Sequence, residues 1–380
     1  MKIEVRHRCA DFNGYRAALV KSLFNCESGA NFSLDAELPI DDGDWRVGLV
    51  VGPSGSGKSS IGRALAGFVP HDVGGWPADA PIIEAIAPGG AFDAATGALS
   101  AVGLGSVPSW LRPFHALSTG EQFRAGLARL LCDAPERVVV DEFTSVVDRQ
   151  IAKVGAGAFA KAWRRGTGQV VLLSCHRDII DWLEPDWVFD TASGAFARGS
   201  LWRRPRIDVQ IWRTDWSLWP LFEPHHYLKL PRMICAQVYV ATVAGAPVAH
   251  LAVSPRFEIG NAVRACRMVV LPEWQGSGVG TRYLNAVCEL QLRGRNRWRR
   301  KAVTYFHTSH PGLAAALRRD PRWAQCSAVL YGGDKAESAR SIAASANGGP
   351  PGQKGRRVGT PGYGGHFRAV QGFKFGGPRR

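Results

Sequence analysis

A glycine-rich turn that follows an apolar run at 47–51 constrains this chain more than any other feature. The turn fits the pattern G-x-x-x-x-G-K-S, in which Gly57 and Lys58 precede Ser59. Glycines at this spacing allow main-chain N–H groups to surround phosphate oxygens, the lysine adds positive charge, and the serine hydroxyl can ligate Mg²⁺. The pattern therefore predicts a strand, a loop and a helix that bind a nucleoside triphosphate. The predicted contacts come from Gly52, Pro53, Ser54, Gly55, Ser56, Gly57, Lys58, Ser59 and Ser60.

Two carboxylates end a second apolar run, at 138–140. Asp141 at a strand tip is expected to hold Mg²⁺ together with Ser59, and Glu142 is expected to polarise the water that attacks the γ-phosphate. An apolar run followed by two acids is a weak signal by itself. Its position downstream of the glycine-rich turn makes hydrolysis of ATP the favoured interpretation.

A helix start is predicted in the segment 117–122, shortly before these carboxylates. Ser118 and Glu121 have the spacing of a capping box, in which each residue satisfies an N–H group of the first helical turn. A helix start that carries a serine and Gly120 can also offer a second surface for phosphate. The alternative, which this segment alone would favour, is a plain helix cap.

The order of these elements resembles that of the ABC-type ATPases. The glycine-rich turn, the 117–122 segment and the two carboxylates are followed by Asp148 and by a lone histidine, His176, after a predicted strand at 170–174. The resemblance covers about residues 1–200. It implies a fold of the ABC ATPase type and an ATP-dependent homodimer, in which two copies of the chain enclose two ATP molecules.

The same resemblance implies roles for individual residues in that dimer. Ser118 and Gly120 of one copy would contact the γ-phosphate bound by Lys58 of the other. His176 would also contact this phosphate during hydrolysis, and Asp148 would lie at the dimer interface. The alternative for His176 is a buried histidine that is hydrogen-bonded at a strand end.

The chain departs from the usual ABC pattern in two ways. No glutamine lies between Lys58 and Gln122, and Ser118 comes only 60 positions after Lys58. The helical arm that couples transporters to membrane helices is therefore expected to be short. No apolar run approaches the length of about 18 residues that a membrane-spanning helix needs, which argues against export. For the aromatic side chain that stacks on adenine, the candidates are Phe12, Tyr15 and Phe24.

The charge of the chain is distributed unevenly. Residues 1–200 hold 19 basic and 23 acidic residues, a net charge of −4, whereas residues 201–380 hold 28 basic and 9 acidic residues, a net charge of +19. This asymmetry favours nucleic acid as a partner of the second half. The densest basic run, 293–301, includes Trp298, so it combines phosphate contacts with a stacking face. The alternatives are a solvated surface and a helix end that complements its dipole.

A second glycine-rich turn follows a predicted strand at 268–271 and precedes a predicted helix at 281–292. Alternating glycines at a helix start again present a row of N–H donors, which suits a pyrophosphate. Such glycines also occur in dinucleotide-binding folds. That interpretation requires an acidic residue about 20 residues further on, where this chain is basic.

The second turn resembles motif A of the GNAT acetyltransferases in its pattern Val-x-Pro-x-x-Gln-Gly-x-Gly-x-Gly. A predicted hairpin at 238–253 lies where that fold has its second and third strands. The resemblance covers about residues 205–380 and implies acyl transfer from acetyl-CoA to an amine. It implies that acetyl-CoA contacts Val270, Gln275, Gly276, Ser277, Gly278, Val279, Gly280 and Thr281.

The acid and base of this transfer are sought among histidines and tyrosines, because these groups can accept or donate a proton near neutral pH. The catalytic candidates are His226, Tyr227 and His310, with Tyr305, His307 and Ser309 as further polar residues. The alternative for each of them is a structural group whose hydrogen bonds hold the fold together.

The sequence therefore predicts an α/β chain in which a P-loop ABC-type ATPase domain (1–200) precedes an α+β GNAT acyltransferase-like domain (201–345). A flexible segment rich in glycine, proline and basic residues is expected at 346–365, and a final strand with a basic tail at 366–380. Eight scattered cysteines without a C-x-x-C pair and a polar start predict a cytoplasmic protein that has no membrane partner.

The whole arrangement resembles a small family of ABC ATPases fused to a predicted acetyltransferase. The favoured function is an ATP-hydrolysing, acetyl-CoA-dependent N-acyltransferase that acts on nucleic acid or on a substrate associated with it. One alternative is a GNAT-like enzyme that modifies a DNA base. The other is an ATP-gated nucleic-acid clamp or regulator whose GNAT-like half only binds.

Overall fold

The computed structural model describes residues 1–8, 10–12, 14–24, 31–41, 44–71, 74–199, 203–226, 233, 235–256, 260–329 and 369–376. They divide into two compact units. Unit 1 consists of Met1–Gly89 and Arg112–Pro205, and unit 2 of Gly90–Leu111 and Arg206–Arg380. The division at 205 lies close to the predicted boundary at 200, but residues 90–111 group with unit 2 rather than with the ATPase region that surrounds them in sequence. The predicted flexible segment at 346–365 lies outside the described residues.

The elements before residue 200 are, in chain order, β1 (Lys2–Arg8), α1 (Tyr15–Phe24), β2 (Asn31–Glu37), β3 (Val47–Val51), α2 (Lys58–Ala64), β4 (Val69–Pro70), α3 (Ile82–Ala85), α4 (Phe92–Ala101), α5 (Val107–Trp110), α6 (Thr119–Asp133), β5 (Arg137–Val140), α7 (Arg149–Trp163), β6 (Gln169–Ser174), α8 (Ile180–Leu183), β7 (Trp187–Asp190) and β8 (Ala195–Arg198). Helices α4 and α5 belong to unit 2.

The remaining elements of unit 2 are β9 (Gln210–Thr214), α9 (Trp219–Phe222), β10 (Gln237–Val243), β11 (Ala246–Pro255), β12 (Ala262–Val270), α10 (Val279–Leu292), β13 (Val303–Thr308), α11 (Pro311–Arg319), β14 (Trp323–Val329) and β15 (Val370–Phe375). Short 3₁₀ turns lie at Phe114–Ala116, Trp216–Leu218, Glu223–His225 and Pro272–Trp274. No helix in the described part of the chain is long and apolar enough to cross a membrane.

Unit 1 contains a six-stranded sheet in the order β4-β5-β6-β3-β7-β8. All neighbouring strands are parallel except β7 and β8. Every residue of β3 is buried, as expected for a valine-rich strand that is covered on both faces. Because β3, β5 and β6 are parallel, their carboxyl ends share one edge of the sheet. The residues that follow these three strands are therefore brought together there.

Unit 2 contains a seven-stranded sheet in the order β14-β15-β13-β12-β11-β10-β9. Only the β12–β13 pair is parallel, and α10 is the crossover between these two strands. Their pairing runs from Ala262 opposite Val303 to Ala265 opposite Phe306 and then ends. Strand β12 continues to Val270, so the two strands separate beyond the paired part. This separation leaves a gap in the sheet next to the second glycine-rich turn.

Strand β15 lies inside the segment for which the sequence predicts a final strand, and it inserts between β13 and β14. Its side chains Phe373 and Phe375 are fully buried. Phe375 packs edge-on against Trp323, with the ring centroids 5.0 Å apart. Strand β15 is therefore an interior strand of this sheet, although it comes last in the sequence.

We predict that replacing Phe375 with alanine lowers the free energy of unfolding of unit 2 by about 3–5 kcal/mol, because it removes a buried ring and leaves a cavity. Lys374→Ala is the matched control, since Lys374 is exposed on the same strand and its loss should cost less than about 0.5 kcal/mol. Chemical denaturation of the full chain measures both changes. Equal effects of the two substitutions would contradict the placement of β15.

Candidate functional site

The first glycine-rich turn joins β3 to α2 in the geometry that phosphate binding requires. Gly57 precedes α2 in the left-handed conformation (φ 89°), and no side chain caps the helix. A Cβ at this position would lie 2.7 Å from the Phe32 ring, so only glycine fits. The N–H groups of Lys58, Ser59 and Ser60 lie in the first helical turn, where they have no acceptor within the helix. They are available to an anion.

A cavity of about 520 Å³ opens beside this turn. Lys58 lies at its wall and donates from Nζ to the carbonyl oxygens of Gly52 and Pro53, at 2.9 and 2.7 Å. Ser59, Asp141 and Glu142 line the same cavity, as the sequence predicts for a Mg²⁺–triphosphate site. The lining residues are His7, Phe32, Ser54, Gly55, Gly57, Lys58, Ser59, Ser60, Asp141, Glu142, Ser145 and Cys175.

The donor set of this cavity fits Mg²⁺, which prefers oxygen ligands and keeps several positions for water and substrate phosphates. The hydroxyl of Ser59 and the carboxylate of Asp141 would hold the ion. Bound Mg²⁺ would neutralise charge on the phosphates. In the described residues, no group of three or more His, Cys, Asp or Glu side chains forms a metal site of its own.

Two residues at the cavity, His7 and Phe32, were not anticipated from the sequence. They lie opposite each other on β1 and β2, and their rings stack with centroids 6.0 Å apart. His7 Nε2 lies 2.7 Å from Ser60 Oγ. Their position makes them better candidates for contact with adenine than Phe12 and Tyr15, which are exposed and do not line the cavity.

The side chain of Phe24, the third aromatic candidate, lies outside the described residues. The signal that could have identified His7 is the alternation of apolar and polar residues in 2–8 and 31–37. It predicts a two-stranded ladder, but the register that pairs His7 with Phe32 comes only from the structure.

His176 follows β6 at the same edge of the sheet. Arg149 donates a hydrogen bond from its guanidinium to His176 Nδ1, at 3.0 Å. Because a guanidinium can only donate, Nδ1 is unprotonated and Nε2 carries the proton. Burial lowers the pKa of His176, and the charge of Arg149 lowers it further, while Asp178 opposes the shift. The histidine is therefore a neutral donor near pH 7, which suits contact with a phosphate oxygen.

The predicted capping box at the start of α6 is present. Ser118 Oγ accepts from the N–H group of Glu121, and Glu121 Oε2 accepts from the N–H group of Ser118 at 2.9 Å. Asp148 likewise caps α7, with Oδ1 2.8 Å from the N–H group of Gln150. Among the described residues, Ser118, Gly120, Asp148 and His176 do not line the cavity of their own chain.

The second glycine-rich turn repeats the geometry of the first. Gly278 precedes α10 in the left-handed conformation (φ 83°) without a side-chain cap. A Cβ at Gly278 would meet nothing within 4 Å, so the space beside it is open to a ligand. Gly280 lies against the strand, since a Cβ there would be 3.0 Å from Val270 Cγ2. The N–H groups of Gly280 and Thr281 lie in the first helical turn without helical acceptors.

Other atoms of this turn already have partners. Ser277 Oγ accepts from the N–H group of Val279 at 3.3 Å and donates to the Trp274 carbonyl at 2.5 Å. Gln275 donates from Nε2 to the Val270 carbonyl at 2.9 Å. The groups of this turn that could contact acetyl-CoA are therefore mainly main-chain N–H groups. Such donors fit the negatively charged pyrophosphate of acetyl-CoA.

A bulge in β12 lies beside the gap between β12 and β13. Arg267 has a positive φ of 52°, and the register of β11 and β12 shifts between His250 and Ala252. His250 is fully buried, and its Nδ1 lies 3.1 Å from the Arg267 carbonyl. Burial lowers the pKa of His250 to about 4, although this hydrogen bond opposes the shift. The neutral ring donates to the carbonyl and holds the bulge.

His226 joins the aromatic cluster that surrounds His250. It is buried, and its ring lies 5.7 Å from that of Trp219. Trp219 also packs on His250, at 4.8 Å between centroids. The cluster covers Leu271, the residue that leads into the second glycine-rich turn. The structure thus brings His226 close to β12, the strand that leads into the second glycine-rich turn. Tyr227 lies outside the described residues.

The ring of His310 is hydrogen-bonded within the fold. Nδ1 accepts from the N–H group of Leu313 at 3.2 Å and caps α11. Burial lowers the pKa of His310, while a hydrogen bond with the backbone of Gly105 opposes the shift. Ser309 is also engaged, since its hydroxyl donates to the Ala369 carbonyl at 2.5 Å. These contacts correspond to the structural alternative for both residues.

Tyr305 and His307 lie on β13, Tyr305 opposite Arg264 in the part paired with β12 and His307 just beyond the end of that pairing. Burial, with the charges of Arg264 and Arg256, lowers the pKa of His307 to about 4. The guanidinium of Arg256 lies over the Tyr305 ring, 4.7 Å from its centroid. His307 is therefore neutral at physiological pH.

Comparison with known proteins gives one family match, in the second half of the chain, and several structural likenesses. Residues 235–316 match the family model described as acetyltransferase (GNAT) domain. This match lies within unit 2 and includes the second glycine-rich turn. Among curated proteins, no match to the chain is found.

Solved structures similar to the chain include ATP-binding cassettes of ABC transporters. One, in its ADP conformation, has 17% sequence identity and a TM-score of 0.34, with 53% of this chain and 93% of that chain covered. Another, a dimeric bacterial ABC transporter cassette, has 14% identity and a TM-score of 0.33, with 42% and 84% covered. The GNAT-like region predicted for the second half has a family match at residues 235–316, and the ABC-type ATPase region stays a prediction.

Proposed function

We propose that this protein binds and hydrolyses ATP as a homodimer and transfers an acyl group from acetyl-CoA to an amine of nucleic acid or of a substrate associated with it. One observation carries the proposal. Helices α2 and α10, in separate units, each begin at a left-handed glycine without a side-chain cap. Main-chain N–H groups exposed in this way are sites for phosphate.

For the ATPase reaction, the first helical turn of α2 and Lys58 would bind the phosphates, and Ser59 and Asp141 would hold Mg²⁺. Glu142 would accept a proton from the attacking water. His176, with its proton on Nε2, would donate to the γ-phosphate. Positioning and charge stabilisation of this kind account for most of phosphoryl-transfer catalysis.

Dimer formation is supported by the position of Ser118 and Gly120 outside the proposed ATP cavity of their own chain. Ser118 and Gly120 do not line it, and Ser118 Oγ and the nearby helix start would be supplied by a second copy. Val146, between Glu142 and the capping residue Asp148, has 66% of its side chain exposed. An exposed valine beside these residues is suited to burial at a dimer interface.

For the transfer reaction, bound acetyl-CoA supplies an acyl group activated as a thioester. Within the Gln275–Thr281 turn, the N–H groups of Gln275, Ser277 and Val279 donate locally. Those of Gly276, Gly278, Gly280 and Thr281 would bind the pyrophosphate, and the gap between β12 and β13 would take the extended arm of acetyl-CoA. His226 would remove the proton of the attacking amine, because it is a histidine beside the strand that leads into this turn. Tyr227 is proposed as the acid that protonates the leaving thiolate.

A nucleic-acid acceptor is supported by the basic run that follows α10. Its six cations, Arg293, Arg295, Arg297, Arg299, Arg300 and Lys301, are all exposed. Within the described residues, an ion pair forms at Arg293, with Glu289, and at none of the other five. Trp298 adds a ring with the Arg297 guanidinium 5.2 Å away. Five exposed cations that have no acidic partner among the described residues suit a phosphate backbone better than a helix-dipole role alone.

We further propose that the protein works in the cytoplasm, where ATP and acetyl-CoA are both available. The six cysteines that the structure describes are free thiols, which suits a reducing compartment.

The Glu142→Gln variant should form an ATP-bound dimer that does not turn over, because it keeps the shape of the side chain and loses the proton acceptor. Hydrolysis should fall by about a hundred-fold or more. Gel filtration with light scattering should give twice the mass of the chain in the presence of ATP. Adding Lys58→Ala should abolish the dimer. A monomer with bound ATP would contradict the two-copy arrangement.

The Gly278→Glu variant should weaken acetyl-CoA binding by at least about ten-fold, since it places a carboxylate in the proposed pyrophosphate site. ATP hydrolysis should be unchanged. Gly245→Glu is the matched control, because Gly245 has the same φ of 83° and equally open surroundings, but lies in the β10–β11 turn. Isothermal titration measures binding. Unaffected binding in Gly278→Glu would defeat the assignment of this turn.

The double variant Arg299→Gln, Arg300→Gln should bind DNA more weakly and with a smaller dependence on salt, by up to about two in the slope of log affinity against log salt. Filter binding across a salt series measures the slope. The control replaces Arg16 and Arg165, which are exposed in unit 1. Affinity that is insensitive to salt, or an equal loss in the control, would count against nucleic acid. Modified DNA nucleosides in cells with the gene would favour the base-modification alternative.

A further inference from the structure

Residues Gly90–Leu111, here called the inserted segment, lie in sequence between the triphosphate-binding turn and Ser118, yet they group with unit 2. The segment consists of α4, a turn at 102–106 and α5. Every residue of the segment is described. Its two ends continue directly into the parts of unit 1 that carry the proposed ATP site.

Helix α4 packs closely on the start of α11. A Cβ at Gly312 would lie 2.5 Å from Ser100 Cβ, so the two helices approach to a distance that only glycine permits. Gly312 is two residues from His310, and the contact therefore places the end of α4 beside that histidine. Gly97, on the outer side of α4, is exposed and has nothing within 4 Å of its Cβ position.

The turn after α4 lies against the second glycine-rich turn, which is the proposed acetyl-CoA site. Gly103 has a φ of 82°, and a Cβ there would lie 2.7 Å from the Gln275 carbonyl carbon and 3.0 Å from the Gly276 nitrogen. The Gln275–Gly276 peptide, whose N–H group is among the proposed pyrophosphate donors, is thus in contact with the inserted segment. The absence of a side chain at Gly103 is what allows this approach.

The Gln275 side chain joins the two turns by hydrogen bonds. Its Oε1 accepts from the N–H group of Gly105 at 3.0 Å, and its Nε2 donates to the Val270 carbonyl at 2.9 Å. Both ends of the amide are used, so its orientation is fixed. Movement of the inserted segment would break the first bond and release Gln275.

Trp110 anchors the far end of the segment at His310. The indole is buried, and its Nε1 donates to the Leu104 carbonyl at 2.8 Å. Its ring meets the His310 ring edge-on, with centroids 5.4 Å apart. His310 also forms a hydrogen bond with the backbone of Gly105. The inserted segment is therefore held on unit 2 by the packing of α4 on α11, by the contact of Gly103 with the Gln275–Gly276 peptide and by the contact of Trp110 with His310.

We propose that the inserted segment is a positioning element of the acetyl-CoA site and that through it the binding of ATP and of acetyl-CoA are linked. This inference rests on the proposed function. The segment fixes the Gln275–Gly276 peptide, and a change at the ATP site that shifts the ends of the segment alters that peptide. Linkage is reciprocal, so each ligand changes the affinity of the other by the same factor.

The test uses isothermal titration of acetyl-CoA into the full chain, with and without ATP and Mg²⁺, in a Glu142→Gln background that prevents turnover. In this parent, the Kd for acetyl-CoA should differ by about five-fold or more between the two states, and acetyl-CoA should change the Kd for ATP by the same factor. In Gly103→Ala, acetyl-CoA binding should weaken by about five-fold or more, and the linkage should be lost. The Kd for ATP alone should stay unchanged.

Gly97→Ala is the matched control, since it makes the same substitution in the same segment without a contact, and it should behave as the parent. Gly105→Ala is a milder second variant, because its Cβ would lie 3.0 Å from Gln275 Oε1. The thermal unfolding midpoint shows whether each variant folds. If Gly103→Ala does not fold, the same measurements on Gly105→Ala decide.

The possible results separate this inference from the proposed function. Parent-like affinity and linkage in the folded turn variants would overturn the inference, and so would equal acetyl-CoA affinity with and without ATP in the parent. Either result would leave the acetyl-CoA assignment standing. A parent that binds no acetyl-CoA would overturn the proposed function and this inference with it.

Discussion

The proposed function of this molecule depends on one interaction, the hydrogen bonding of an anion by main-chain N–H groups at the start of a helix. A helix normally covers them with a side-chain cap, as Ser118 and Asp148 do for α6 and α7. At Gly57 and Gly278 the cap position has a left-handed backbone and no side chain. At α10, Ser277 Oγ accepts from the N–H group of Val279, and the N–H groups of Gly280 and Thr281 remain for a ligand. Helix α4 also starts without a side-chain cap, so the feature that marks α2 and α10 as anion sites is the left-handed glycine that they share at the cap position.

The sheets bring chemical groups to these places in different ways. In unit 1, parallel strands end at one edge, so Asp141 and His176 arrive near the same edge as Lys58 although they are far apart in sequence. In unit 2, two strands that stop pairing create room, and buried His250 stabilises the irregular backbone beside it. The first arrangement collects side chains, whereas the second opens a path between strands.

The sequence was informative where function depends on a few consecutive residues. Both glycine-rich turns, the carboxylates after β5 and the capping box could be predicted because backbone geometry demands those residue types at fixed spacing. Contacts across strands could not, so His7 and Phe32 were missed. The grouping of 90–111 with unit 2 also could not be predicted, because it depends on packing between residues more than 150 positions apart, such as Gly105 and Gln275.

The position of β15 has a consequence for synthesis of the chain. This strand is made after all others in its sheet, yet it fills the place between β13 and β14. During translation, β13 and β14 therefore have unpaired edges until β15 is made, and such edges are prone to pairing with other chains. Unit 2 completes its sheet only when residue 375 becomes available, long after the strands of unit 1 have emerged. Chaperone demand should therefore be concentrated on the late stage of its production.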